Sequence, residues 1–202
     1  MEKGPRGNVR RVRSCEQLFF PAGSFSDVLI ALTGTPGVGK STVASMLSKR
    51  GYEVMELSRI IKDKDLLGDF DEARETYEVD VEKLDMEILE LPQDRPLILV
   101  GHLSHLLSVH LVIILRCSPS VLRKRLSGRG WSESKVQENL EAEACDVILI
   151  EALDSGLDVC EIDTTKLSPD SVVDGVEDII QGEREKYAPG NIDWSEEVLD
   201  WF

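Results

Sequence analysis

Two sets of residues in this 202-residue chain have the types and spacing to do chemistry. The first is Gly34-Thr35-Pro36-Gly37-Val38-Gly39-Lys40-Ser41, which fits G-x-x-x-x-G-K-[ST] at every fixed position and continues into Thr42. The glycines let the backbone curl until successive N–H groups point at an anion, and a following helix N-terminus adds partial positive charge. In such a loop Lys40 reaches the β and γ phosphates of a nucleoside triphosphate, and the Ser41 hydroxyl ligates Mg²⁺. A chance glycine turn could share these letters, but it would not need a strand before it and a helix after it. The second set is cationic: Arg123, Arg125 and Arg129 in RKRLSGRGW, with Arg116 at the end of the preceding apolar run. Phosphoryl transfer leaves the protein mainly positioning and compensation of negative charge, and arginines on a segment that closes supply both while excluding water. Arg123 fits a solvated helix face equally well; Arg129, between Gly128 and Gly130, has the more specific setting.

Those residues need a scaffold, and the apolar pattern provides one. Residues 27–33 form an apolar run through Val28, Leu29, Ile30 and Leu32 that is too short for a helix and reads as a buried strand. Residues 42–50 take helical spacing, with Val43, Met46 and Leu47 on one face. Further strands are expected at 52–57, 97–100, 110–116 and 157–162, and helices at 58–67, 79–91, 119–126, 133–153 and 169–186. Residues 68–78 are polar, acidic and poorly periodic and read as a mobile loop; residues 101–108 read as a small helix or turn. Strands alternating with helices predict an α/β fold of three layers, α/β/α, around a five-stranded parallel sheet. Ligands of such sheets bind beyond the C-terminal strand ends, where the glycine loop falls. The tail at 191–202 carries Trp194, Val198, Leu199, Trp201 and Phe202, a composition suited to docking on the body.

Length predicts one domain at 27–202. A formal net charge of -15 disfavours nucleic acid unless positive charge is segregated, so no direct sequence-specific nucleic-acid binding is expected. No apolar run approaches the ~20 residues of a membrane helix. Residues 1–26 carry Lys3, Arg6, Arg10, Arg11 and Arg13 against Glu2 and Glu16 and are expected to be a disordered basic extension. A mitochondrial-type presequence or an early start codon are the other readings, whereas Leu18-Phe19-Phe20 is too short for a secretory core. Four widely separated cysteines without a C-x-x-C pair point to reduced thiols and a cytoplasmic protein. His102, His105 and His110 lack a fourth ligand with zinc-site spacing.

Several strings together resemble one family. ALTGTPGVGKST, LVGHLSHL, RLSGRGWSESKVQENLEAE, EIDTT and NIDWSE look like the archaeal proteins named "putative adenylate kinase", relatives of eukaryotic adenylate kinase isoenzyme six. The resemblance runs from about residue 27 to the C-terminus; the glycine loop is common to a large superfamily, while the GHLSH and RGW strings are more specific. It implies a P-loop NTPase fold of the nucleoside monophosphate kinase type with a short lid at about 127–137 and an acceptor segment at about 57–79. It implies that Gly37, Val38, Gly39, Lys40, Ser41 and Thr42 bind ATP, with Mg²⁺ held at Ser41 through the nucleotide, and that Arg129 reaches the ATP from the lid. It places Lys62 as a contact to the acceptor phosphate. His102 falls where the family has a histidine near the γ-phosphate; a structural histidine with a satisfied ring is the other reading, and both stay open. The family carries an acid at the end of the strand before this histidine, which organises Mg²⁺ or its waters, and Val100 stands there instead.

The implied reaction is transfer of the γ-phosphate of ATP to AMP or a similar monophosphate, catalysed through Lys40, Arg129 and His102, with ATP hydrolysis alongside. Two alternatives come from the same resemblance and the acidic composition: an ATP-dependent factor in small ribosomal subunit maturation that grips a basic ribosomal protein, or a nucleotide-binding protein weakened in catalysis at Val100.

Overall fold

The computed structural model describes residues 28–72, 75–92, 94–199 and 201, so the expectations for the basic extension lie outside the described residues. β1 (Leu29–Thr33) is buried along its whole length and lies at the centre of a parallel sheet. β5 (Leu97–Val100) and then β2 (Glu53–Glu56) extend the sheet on one side, and β6 (Leu111–Arg116) and β7 (Asp158–Asp163) on the other, giving the order β2-β5-β1-β6-β7.

Strand side chains alternate between two faces, and each face builds its own core. Ile30, Leu32, Ile98, Ile113 and Leu115 pack with α1 (Lys40–Lys49), α4 (Pro119–Leu126), α5 (Glu133–Ala144) and α7 (Pro169–Ile180). Leu29, Ala31, Leu99, Val112 and Ile114 pack with α2 (Leu57–Asp63), α3 (Val81–Leu89) and α6 (Val147–Asp154). The expected three-layer α/β/α architecture is therefore present, with five parallel strands.

Three local expectations need correction. Residues 68–78 are not a loop throughout: β3 (Leu67–Asp71) and β4 (Thr76–Val79) form an antiparallel hairpin pinned by Phe70 opposite Tyr77, whose ring centroids are 5.0 Å apart. Nearly every hairpin residue is exposed, so no apolar alternation announced it. The single helix expected at 133–153 is two, because Asp146 takes a left-handed φ of 55° between α5 and α6. That turn brings the Asp146 carboxylate onto the guanidinium of Arg116, a long-range bond that no local pattern encodes. The helix expected at 169–186 ends at Ile180, and Gly182 follows with φ 102°. The tail does dock: Trp201 packs against the core on the α1 face. In α8 (Ser195–Leu199), Glu197 accepts hydrogen bonds from Ser118 Oγ at 2.7 Å and the Ser120 N–H at 3.0 Å, tying the tail to the start of α4. Among the described residues no helix is long and apolar enough to cross a membrane.

Candidate functional site

The glycine loop joins β1 to α1 above the C-terminal edge of the sheet. A Cβ on Gly34 would lie 2.2 Å from the Leu115 carbonyl oxygen at a φ of 132°, so only glycine fits there. Gly39, at φ 113°, has nothing within 4 Å of where a Cβ would be, so its glycine is required by the backbone conformation rather than by crowding. Lys40 folds back over the loop, its Nζ donating to the Gly34 carbonyl and, at 3.1 Å, to that of Thr35. Burial drives its pKa down to about 8; Glu143 pulls it upward and Arg129 pushes it further down.

That value carries a pH prediction. A phosphate anion binds the ammonium form, so anionic nucleotide should bind most tightly below pH 8 and lose affinity as pH rises through about 8. Folding shows the opposite slope: the lowered pKa makes charged Lys40 a cost, fully present below about 8 and relieved as pH approaches the unfolded value of 10.5. Calorimetric titration of ATP between pH 7 and 9.5 checks the first part, with a flat profile counting against it.

The loop is the floor of a cavity of about 550 Å³ that extends to both sides. On one side stand Arg125, Thr164, Leu167 and Pro169; on the other Glu56, Ser58, Val100 and His102. Gly37, Val38, Gly39, Lys40, Ser41, Thr42, His102 and Arg129 all line it. Lys62 does not: α2 turns Leu57, Ile60 and Ile61 to the core, and Lys62 is exposed outside the lining. The acceptor-contact reading of Lys62 therefore has no support from its position.

The arginines have separate fates. Arg129 stands 5.3 Å over the Trp131 ring and faces the cavity. Arg125 donates to the Thr164 carbonyl at 2.8 Å and the Val38 carbonyl at 3.3 Å, joining the glycine loop to the segment after β7. Arg123 points outward to Glu133 and Gln137, as a solvated helix face would have it. Arg116 is not part of the cavity's charge; it is 2% exposed beneath the loop, paired with Glu143, Glu161 and Asp146. Burial acts to lower its pKa, but these acids outweigh it and hold the guanidinium above its ordinary value.

Sequence reasoning missed two residues here. Glu143 accepts from Thr35 Oγ1 of the glycine loop at 2.5 Å and from Arg116 Nε at 2.7 Å. The available signal was its place on the Val136, Leu140, Glu143 face of α5, an acid at a core position. Glu56, the other, ends β2 and lines the cavity.

His102 opens to the cavity, and its pKa is lowered by desolvation and then by the charges of Lys40 and His105, which favours the neutral ring. The other two histidines serve the scaffold. His105 bridges Thr33 Oγ1 at 3.2 Å and Glu151 at 2.9 Å, and His110 Nδ1 accepts from the Leu29 N–H at 3.1 Å. Among the described residues no group of three or more His, Cys, Asp or Glu side chains is arranged to hold a metal ion.

Strand order, a glycine loop opening a helix and cations converging over it define the class: a P-loop α/β protein. The family described as AAA domain matches residues 30–146. A protein of Archaeoglobus fulgidus named "Putative adenylate kinase" is 49% identical over 176 residues, covering 86% of this chain and 95% of its own length. One of the same name from Methanothermobacter thermautotrophicus is 46% identical over 169 residues, covering 83% of this chain and 97% of its own. The chain belongs to this archaeal adenylate kinase-like family. Among solved structures, a deoxyadenosine kinase from M. mycoides aligns at a TM-score of 0.47 with 20% identity, covering 78% of this chain and 100% of its own. A shikimate kinase from Bacteroides thetaiotaomicron aligns at 0.48 with 18% identity, covering 76% and 98%. The fold assignment rests on the strand order and the loop rather than on these two.

Proposed function

We propose that this protein is a nucleoside monophosphate kinase that passes the γ-phosphate of ATP directly to AMP or a similar monophosphate. The observation that carries the reading is one cavity that reaches residues on both sides of the glycine loop and is lined by both Lys40 and Arg129. A polyanion fits there: Lys40, Arg125 and Arg129 line the cavity against the one carboxylate among its described residues, Glu56, so the site is locally positive in a chain whose net charge is -15. The name shared by the archaeal relatives supports the same reaction.

In this reading the loop N–H groups and Lys40 hold the triphosphate, and Arg129 offsets charge on the transferring group from the segment at 127–137. The segment at 57–79, α2 with its hairpin, forms the acceptor side. Lys135 Nζ donates to the Glu75 carbonyl at 2.6 Å, so the two segments touch. Neutral His102 lies close enough to Lys40 to feel its charge and orients the groups that pass between the halves. The donor set suits Mg²⁺ bound with the nucleotide, since that ion keeps several waters and takes only one or two protein oxygens, Ser41 being the first. Held at Ser41 with the nucleotide, Mg²⁺ would supply neutralisation of phosphate charge. The test is ADP formation from ATP with AMP, CMP, UMP, GMP or water as acceptor; no ADP beyond the ATP-only control sinks the reading.

Val100 is 4% exposed at the end of β5 and offers the ion no oxygen. Val100→Asp is expected to raise phosphoryl transfer about tenfold, what one charge-assisted hydrogen bond of ~1.5 kcal/mol contributes. Unchanged or lower transfer with intact nucleotide binding would remove Val100 as the limiting residue.

A second reading has its own observation. The exposed hairpin sets Phe70 and Tyr77 among Asp69, Glu75 and Glu78, a surface suited to a basic protein segment. It supports an ATP-dependent assembly factor that grips a basic ribosomal protein. A pull-down recovering no ribosomal protein in any nucleotide state counts against it.

A further inference from the structure

We propose that Glu143 is a positioning residue for the phosphate loop, holding it in its anion-binding shape from beneath through the hydroxyl of Thr35. The inference rests on the reading of the cavity as a nucleotide site and concerns only the grip on the triphosphate, whichever acceptor follows. The two oxygens of the Glu143 carboxylate have separate tasks. Oε1 accepts from Arg116 Nε at 2.7 Å and from the Cys117 N–H at 3.1 Å, bonds that tie α5 to the end of β6 and serve the scaffold. Oε2 accepts from Thr35 Oγ1 at 2.5 Å and serves the loop.

The loop's sequence pattern does not ask for this second bond, since G-x-x-x-x-G-K leaves the position of Thr35 open. Thr35 is 3% exposed and stands outside the cavity lining, so its hydroxyl acts on the loop rather than on a ligand. Its main chain is where the loop is drawn together: the Thr35 carbonyl accepts from Lys40 Nζ at 3.1 Å and from the Val38 N–H at 3.3 Å. Fixing the Thr35 side chain therefore fixes the oxygen that orients both the ammonium and the turn of the glycines. The other end of that turn is held independently, with the Val38 carbonyl accepting from Thr164 Oγ1 at 2.9 Å and from Arg125 at 3.3 Å. Residues 35–38 are thus anchored at both ends before any anion arrives. Such anchoring raises affinity, because a loop that holds its binding shape for only a fraction of the time binds more weakly by that fraction.

The test is a binding measurement on the full chain, independent of turnover. ATP is titrated calorimetrically into wild type, Thr35→Val, Thr35→Ser and Glu143→Gln, at a temperature well below the melting of each. Thr35→Val keeps the side chain's shape and removes the donor, and it should weaken ATP binding about tenfold, as for a loop in its binding shape one-tenth of the time. Thr35→Ser keeps the hydroxyl and should bind within twofold of wild type. Glu143→Gln should lose as much as Thr35→Val, and the two combined no more than either, because both break one bond. Glu143 also belongs to the Arg116 network, so if Glu143→Gln does not fold, the comparison of Thr35→Val with Thr35→Ser still decides the matter. A merely structural bond would lower the melting temperature and leave the affinity of the folded protein alone; equal ATP affinity in wild type and Thr35→Val therefore overturns the proposal. Equal losses in Thr35→Ser and Thr35→Val overturn it too, since the hydroxyl would not be what matters. Failure of wild type to bind ATP overturns both this proposal and the site reading beneath it.

Discussion

Lys40→Ala should lower ADP formation from ATP and AMP by about 10²–10³-fold, the scale for removing one preorganised charge donor from a transferring group. Lys40 reaches its place from the first residue of α1, and its Nζ already sits over the loop carbonyls of Gly34 and Thr35. Those contacts hold the ammonium in position before any phosphate arrives, so little reorganisation remains to be done on binding. The neighbouring Arg129 and surrounding burial both disfavour its charge, as its pKa of about 8 shows. Polyphosphate relieves that penalty, which makes the interaction stronger than one between exposed groups. The fold should not suffer, because removing a penalised charge takes away a cost as well as two hydrogen bonds. Parallel assays of wild type and variant, with thermal melts, separate the cases: lost transfer at an unchanged melting temperature supports the role, and retained transfer refutes it.

Arg116→Ala should cost about 3–5 kcal/mol of stability, the usual result of breaking a buried ion network from one side. Arg116 and its partners Glu143 and Glu161 are each no more than 2% exposed in their side chains. Losing the guanidinium would leave both carboxylates in the interior without their cation. Set against a total of roughly 5–15 kcal/mol for a domain, the loss is large enough to threaten folding. Urea denaturation would read it as a lowered midpoint, and the deficit should shrink at acid pH as the orphaned carboxylates take up protons. Replacing Arg116, Glu143 and Glu161 together by apolar residues of similar volume should recover much of it. A single variant as stable as wild type would show that the network is not what holds the loop's underside.

How much of this was legible in the chain depends on the range of the interaction. The loop was readable because its function demands particular residues at particular spacing: Gly34 meets the Leu115 carbonyl, and Lys40 must follow Gly39. The sheet was readable because buried parallel strands such as Leu111–Arg116 are continuously apolar. The Phe70–Tyr77 hairpin was not, since an exposed ribbon has no face to bury and writes no alternation. The break at Asp146 was hidden because its cause, Arg116, lies 30 positions away. Lys62 was a choice by charge and neighbourhood alone, and a helix rotates about 100° per residue, enough to take a side chain out of a site that its neighbour Ile61 lines. Glu143 and Glu56 show the remaining limit: two acids among 38, which the fold places under and beside the phosphate loop.

The bridge between Lys135 and the Glu75 carbonyl ties α5 to the turn of the hairpin. It is solvent-exposed and ends on a main-chain oxygen, so its strength does not come from the carboxylate at position 75. One such bond is worth about 0.5–1.5 kcal/mol, which keeps the tie made only some two- to tenfold more often than broken. The hairpin is therefore held to the body lightly, and it can part from α5 without disturbing the buried sheet. Shortening Lys135 should raise amide exchange in the hairpin and leave the melting temperature of the protein unchanged.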